Sequence, residues 1–131
     1  MMLDYVDQMP YTVTADDCNV GHHLDHARFV SLFTMARFSW TTHYGLTLDK
    51  ILGSGLGINV AELTIKYRAE VFEGDHLVIE TRQLPTSTRA MAFEQIMRRE
   101  GTVVAEQSCR VVFVSAATRG IMDWRTLLVP V

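Results

Sequence analysis

Cysteine is nearly absent from this chain: Cys18 and Cys109 are the only two in 131 residues. They share no metal-ligand spacing and form no disulfide framework. Proline is almost as scarce, at three residues, and no low-complexity run or interdomain linker interrupts the sequence. No window is apolar for the length a membrane span needs, so no membrane partner is expected. The N-terminus lacks a basic segment followed by an apolar run, so no signal peptide is expected. An excess of basic charge is also missing. Twelve Lys and Arg face fifteen Asp and Glu, for a net charge of −3 and a pI near 5.9. That balance argues against nucleic acid as a partner, and leaves room for a local basic patch on a phosphorylated ligand. By default, these absences place the chain in the cytoplasm.

What is present is ordinary for a globular protein: 48% hydrophobic and 21% charged residues. The length suits one domain over residues 1–131 with a sizeable core. Residues 1–10 read as an irregular lead ending at Pro10. The β-branched alternation of Tyr11–Thr14 predicts a short strand. Residues 15–25 are polar and predict a loop, with Asp25 as the N-cap of a helix running from His26 to about Tyr44. Phe29, Val30, Leu32, Phe33, Ala36 and Trp40 give that helix a broad apolar stripe, and Gly45 ends it. A further helical turn is expected at 48–52, broken by Gly53-Ser54-Gly55.

Beyond Gly55 the pattern becomes β. Residues 57–70 alternate, with Ala61, Leu63, Ile65 and Tyr67 on one face and Glu62, Thr64, Lys66 and Arg68 on the other. Glu73-Gly74-Asp75 predicts a turn and 76–83 a strand. A loop follows at 85–88. Strands at 90–99 and 103–115 meet at Glu100-Gly101-Thr102, a hairpin signal. In the tail, 116–131, Trp124 and Leu127-Leu128-Val129 are expected to pack back. One long apolar helix must be covered, and an antiparallel sheet curved around it is the way to do so. The sheet's edges would be protected by pairing across a two-fold axis.

The chemistry is concentrated in residues 17–26, where three His and three acids or amides precede the long helix. Titratable groups there sit beside free backbone N–H donors and the positive end of the helix dipole, a good place to polarise a substrate oxygen. Asn19 admits two readings, a loop residue bonded to its own backbone or a group that orients substrate. Asp17 is either a structural partner of the loop or a catalytic acid. His26 offers its backbone N–H, or its imidazole with Asp25 as neighbour. His22, His23, Asp25 and His26 do not form a standard zinc pattern, and no metal is expected. Arg37, among apolar neighbours, must snorkel or be paired. Glu62 is expected on a solvated face. Lys66, Arg68, Arg89, Arg98, Arg99 and Arg119 are candidate phosphate ligands, with Arg89 preferred.

The stretch Asp17-Cys18-Asn19-Val20-Gly21-His22-His23-Leu24-Asp25-His26-Ala27-Arg28-Phe29 resembles the D-x-D-x-x-G-H-x-N-N-x-x-Y pattern of hotdog-fold thioesterases. The group concerned is that of the hydroxybenzoyl-CoA and short-chain acyl-CoA thioesterases. Ile65-Lys66-Tyr67-Arg68 with Gly74-Asp75-His76-Leu77, and Phe93-Glu94-Gln95-Ile96, are similar to later parts of that family. The resemblance covers roughly residues 8–115. It implies an α+β hotdog, one long helix wrapped by a five-stranded antiparallel sheet, assembled as a homodimer or homotetramer. The implied activity is hydrolysis of an acyl-CoA or acyl-carrier-protein thioester, with no cofactor.

One departure matters. The family's usual catalytic carboxylate is the second Asp of D-x-D, and Asn19 stands there. An amide is neither nucleophile nor general base at neutral pH. The chain also resembles the thioesterases of enediyne pathways, which have Asn at that position and an Arg along the helix, matched by Arg37. The resemblance then implies Asn19 and Arg37 orienting water and steadying the oxyanion, with His26 and Asp17 as further catalytic candidates. His23, a loop-shaping position in the family, Asp25 and Arg89 are the substrate-binding candidates. An acyl-binding protein without catalysis, and a hydroxyacyl thioester dehydratase pairing His26 with Asp17, remain alternatives.

Overall fold

A computed structural model describes residues 3–85, 87 and 89–128. The order of elements is β1 (Asp7–Thr12), α1 (His26–His43), α2 (Leu48–Gly53), β2 (Leu56–Tyr67), β3 (His76–Leu84), β4 (Met91–Arg99), β5 (Thr102–Ser115) and β6 (Ile121–Met122). The strands form one antiparallel sheet, β1-β3-β4-β5-β2, with the short β6 paired to the end of β5. The helix lies on one face of this sheet, as expected.

Local chemistry accounts for the ends of α1. The Asp25 carboxylate accepts from the Ala27 N–H at 3.1 Å, capping a donor that has no intrahelical partner. At the other end Gly45 takes φ 86°. Its N–H donates to the Thr42 carbonyl, and the Leu46 N–H donates to that of Thr41. This is the paired-bond termination that a left-handed glycine permits. Phe29, Leu32, Phe33, Ala36 and Trp40 face the sheet and are buried. Burying one such large side chain contributes about 1.5–3 kcal/mol.

The core under α1 is divided. Val13, Leu24, Phe29, Leu32, Phe33, Leu77, Ile79 and Met97 belong to one apolar cluster. Trp40, Ile51, Met91, Phe93, Val111, Phe113, Trp124 and Leu128 belong to the other. Between them runs a buried polar row across three adjacent strands, Thr81, Gln95 and Gln107. Gln95 Nε2 donates to the Phe33 carbonyl at 2.8 Å and to Thr81 Oγ1 at 3.0 Å. Gln107 Nε2 and Arg37 Nη1 both donate to Gln95 Oε1, at 3.2 and 3.1 Å.

Several boundaries differ from expectation for physical reasons. The first strand starts at Asp7 and includes Pro10, tolerated because β1 is an edge strand and needs no N–H on its open side. The lead is ordered too: Leu3 is buried and its N–H donates to Gln83 Oε1 at 2.7 Å. In β2 the register with β5 shifts between Val60 and Glu62, so the expected two-face alternation does not run unbroken. The strand ends at Tyr67 rather than 70. The Glu100-Gly101 hairpin is as expected, both residues taking positive φ, 49° and 82°, between paired Arg99 and Thr102. In the tail Trp124 and Leu128 are buried. Val129 of the expected packing segment, and Thr86 and Thr88 of the expected loop, lie outside the described residues.

Phe33 is fully buried under α1. Phe33→Ala is expected to lower the unfolding free energy by about 3–5 kcal/mol, read as a lower urea midpoint at unchanged slope.

Candidate active site

Residues 18–24 fold into a small hairpin of their own. Cys18 bridges Leu24 and His23 bridges Phe72. The Asn19 N–H donates to the His23 carbonyl at 2.9 Å, and the His22 N–H to the Asn19 carbonyl at 3.0 Å. His22 takes φ 65°, a left-handed conformation that favours Gly and costs a branched side chain energy. The Leu24 N–H donates to the Val71 carbonyl at 2.7 Å, pinning the hairpin to the segment between β2 and β3.

The anchor of this loop is Asp17. Its carboxylate accepts from Tyr11 Oη (2.8 Å), Thr14 N–H (2.8 Å), Thr14 Oγ1 (3.0 Å) and Arg28 Nε (2.7 Å). Burial alone would raise its pKa, but the donors from Thr14, Tyr11 and Arg28 outweigh that. They hold the carboxyl at about 2, below its ordinary 3.8. Its oxygens are occupied and it does not line the cleft beside it.

That cleft opens at the start of α1, with a volume of about 530 Å³, and Asn19, His23, His26, Phe29, Tyr67 and Glu70 contribute to its walls. Asn19 Oδ1 accepts from the Gly21 N–H at 2.9 Å. That bond orients the amide, and Nδ2 makes no hydrogen bond among the described residues. Both expectations for Asn19 are thus geometrically compatible, because the oxygen serves the loop and the nitrogen stays available. The His26 N–H, at the first helical position, has no acceptor among the described residues. Tyr67 Oη donates to the His26 carbonyl at 3.0 Å and its ring meets Phe29 edge-on at 5.1 Å. The His26 imidazole is 84% exposed and its Nδ1 lies 3.8 Å from Asp25.

The structure therefore brings together Asn19, His23, Asp25 and His26. It does not bring Arg37 or Arg89 to them within the protomer. Arg37 is buried three helical turns along α1, bonded to Gln95 and to Thr34 Oγ1 at 3.1 Å, with no carboxylate partner among the described residues. Burial pushes its guanidinium below its usual pKa. It lines a separate 130 Å³ cavity with Thr34, Phe38, Ile58 and Val60. Arg89 is exposed in the β3–β4 connection. Arg89 lies beyond the end of β3 opposite the β2–β3 connection that lines the cleft. The cleft residues that sequence reasoning missed as site residues are Tyr67 and Glu70. They reach His26 and His23 only through the return of β2, and no local spacing signals that. No group of three or more His, Cys, Asp or Glu among the described residues is arranged to hold a metal ion.

One helix wrapped by this sheet, with a cleft at the helix start, defines a hotdog domain. The family model described as the thioesterase-like superfamily matches residues 13–130, and the chain belongs to that superfamily. It is 26% identical over 106 residues to the acyl-CoA thioester hydrolase YbgC of Escherichia coli, covering 80% of this chain and 79% of that one. Solved structures share the fold. A 1,4-dihydroxy-2-naphthoyl-CoA thioesterase from Synechocystis superposes with a TM-score of 0.84 at 16% identity, over 93% of this chain and 94% of that one. A hypothetical protein from Staphylococcus aureus, solved in complex with CoA, does so at 0.83 and 16% identity, over 94% and 78%. No described helix is long and apolar enough to cross a membrane.

The anchoring of Asp17 has a measurable consequence. Its pKa is lower in the folded chain than in the unfolded one, so its stabilisation is complete above about pH 4 and is lost as the pH falls toward 2. The expected loss is about 2 kcal/mol. Urea midpoints measured across that range should fall for the wild type and fall less steeply for Asp17→Asn.

Proposed function

We propose that this chain hydrolyses an acyl thioester carried by coenzyme A or an acyl carrier protein, releasing acid and thiol. The observation that carries the reading is the His26 N–H, without an acceptor among the described residues, at the positive end of an eighteen-residue helix and beside the cleft that Asn19 lines. In this reading the thioester oxygen accepts from that N–H. The helix dipole favours the negative charge that develops there as the carbonyl carbon becomes tetrahedral. Asn19 Nδ2 adds a second donor or holds the attacking water. Family membership and the likeness to YbgC, an acyl-CoA thioester hydrolase, support the same reaction.

The acyl group would extend from the helix start along the side of α1 that faces β2. β2 is an edge strand and largely exposed. Its open N–H and C=O groups are a template for pairing, and a second copy across a two-fold axis would cover both edge and groove. Arg37 would then serve the site only through such an assembly. Size measurement at micromolar concentration is expected to give a homodimer or homotetramer, and a monomer would sink this arrangement.

Turnover is tested with a panel of acyl-CoA and acyl-carrier thioesters, free thiol being the readout. Asn19→Ala is expected to lower kcat by about 10²–10³-fold, the usual effect of removing one oxyanion donor. Asn19→Asp separates the two roles of the amide. A carboxylate offers no donor and repels the oxyanion, so activity falls if donation matters. It holds or rises if positioning water is what matters. Unchanged kcat in Asn19→Ala would remove the amide from the reaction.

A further inference from the structure

With an amide at position 19, the hydrolysis proposed above lacks a group to take the proton of the attacking water. Besides Asp25 near His26, a second carboxylate approaches an imidazole more closely. Glu70, in the connection between β2 and β3, places Oε1 3.3 Å from His23 Nδ1. Both residues line the cleft with Asn19 and His26. The His23 ring is held on its other side by Phe72, centroids 5.0 Å apart, and its backbone by the bridge to Phe72. Arg99 Nη1 donates to the Glu70 carbonyl at 2.7 Å, fixing the backbone that carries the acid.

The Cδ2–Nε2 edge of the imidazole and the Asn19 amide oxygen both lie beside Gly21. A Cβ at Gly21 would lie 3.2 Å from His23 Cδ2, 3.7 Å from His23 Nε2 and 3.3 Å from Asn19 Oδ1. The missing side chain therefore leaves room for the ring edge and the amide to share one small space. With Nδ1 beside the Glu70 carboxylate, the Nδ1–H tautomer is the favoured neutral form, and it leaves the lone pair on Nε2, on that side.

We propose that His23 is the general base of this site and that Glu70 is its positioning residue, together replacing the carboxylate missing at 19. The proposal rests on the thioesterase reading. His23 Nε2 takes a proton from water as the water oxygen bonds to the thioester carbon, and the carbonyl π pair moves to the oxygen facing the His26 N–H. The tetrahedral intermediate collapses, the C–S bond breaks, and the departing sulfur takes the proton from the imidazolium. Glu70, whose side chain is largely exposed, favours that tautomer and the imidazolium between these steps through its carboxylate beside Nδ1. Asn19 holds the water or the oxyanion and need not act as a base.

Other ionisable groups facing His23 are His26 and Tyr67 across the cleft, with Asp25 beside His26, and His22 in the same hairpin. Assignment therefore rests on variants. In the wild type kcat/KM should fall on the acid side with the titration of one imidazole. His23→Asn should lower kcat by about 10²–10⁴-fold, the usual range for a lost general base, and abolish that limb. Glu70→Gln should lower kcat with little change in KM while keeping the limb, and Glu70→Asp should restore part of kcat. A folded Glu70→Gln protein with unchanged kcat overturns the proposal. So does a His23→Asn protein that keeps the acid limb. If the wild type cleaves none of the thioesters, the hydrolase reading and the base fall together. If it cleaves them and the limb survives in His23→Asn, only the base falls.

Discussion

Three elements that are distant in the chain's local grammar meet at the Asp17 carboxylate. Tyr11 comes from the end of β1, Thr14 from the connection after it and Arg28 from the first turn of α1. The start of the helix is thereby tied to the edge of the sheet. The hairpin at 18–24 closes over that tie, with the Asp25 N–H returning to the Asp17 carbonyl at 3.0 Å. Asn19, His23 and His26 hold their positions because this carboxylate keeps both ends of the loop together. A charge so enclosed is stable only because each oxygen is met by donors. The same donors leave it poorly suited to proton transfer.

Under the helix a second constraint acts. Apolar side chains alone set neither the tilt nor the translation of a helix on a sheet, since many packings bury similar area. The row Thr81–Gln95–Gln107 adds directional contacts, and Gln95 holds the Phe33 carbonyl and the Arg37 guanidinium together. A shift of α1 along the sheet would leave these buried groups unpaired, at about 1–3 kcal/mol for each. The polar row thus specifies where the helix start falls relative to β2 and the β2–β3 connection. That relation decides which side chains share the cleft.

The division of labour in the cleft follows from its geometry. In the proposed reaction the groups that need no particular side chain, the His26 N–H and the helix dipole, face the developing charge. Groups that need a particular side chain come from two different segments, Asn19 and His23 from the hairpin and Glu70 from the β2–β3 connection. The Asn19 amide is oriented by its bond to the Gly21 N–H, and its nitrogen has no hydrogen-bond partner among the described residues.

Much of the fold was legible in the sequence because it rests on local rules. The apolar stripe of residues 29–40, the Asp25 cap, the Gly45 stop and the Glu100-Gly101 hairpin each follow from side-chain spacing or backbone freedom. The motif at 17–29 located the cleft for the same reason, since a helix start and its polar lead are contiguous in the chain. What the sequence could not determine is long-range. Pro10 sits inside β1 because β1 is an edge, a property of the whole sheet. Gln95 and Gln107 alternate like core residues yet are polar, and only the helix carbonyl and Arg37 above them explain it. The occupied state of Asp17 required Tyr11 and Arg28 to converge on it. Glu70 joined His23 because the Leu24–Val71 bond and the His23–Phe72 bridge lay the two segments side by side. Periodicity reports which face of an element is buried, whereas the meeting of two polar atoms from distant segments is decided only when the chain has folded.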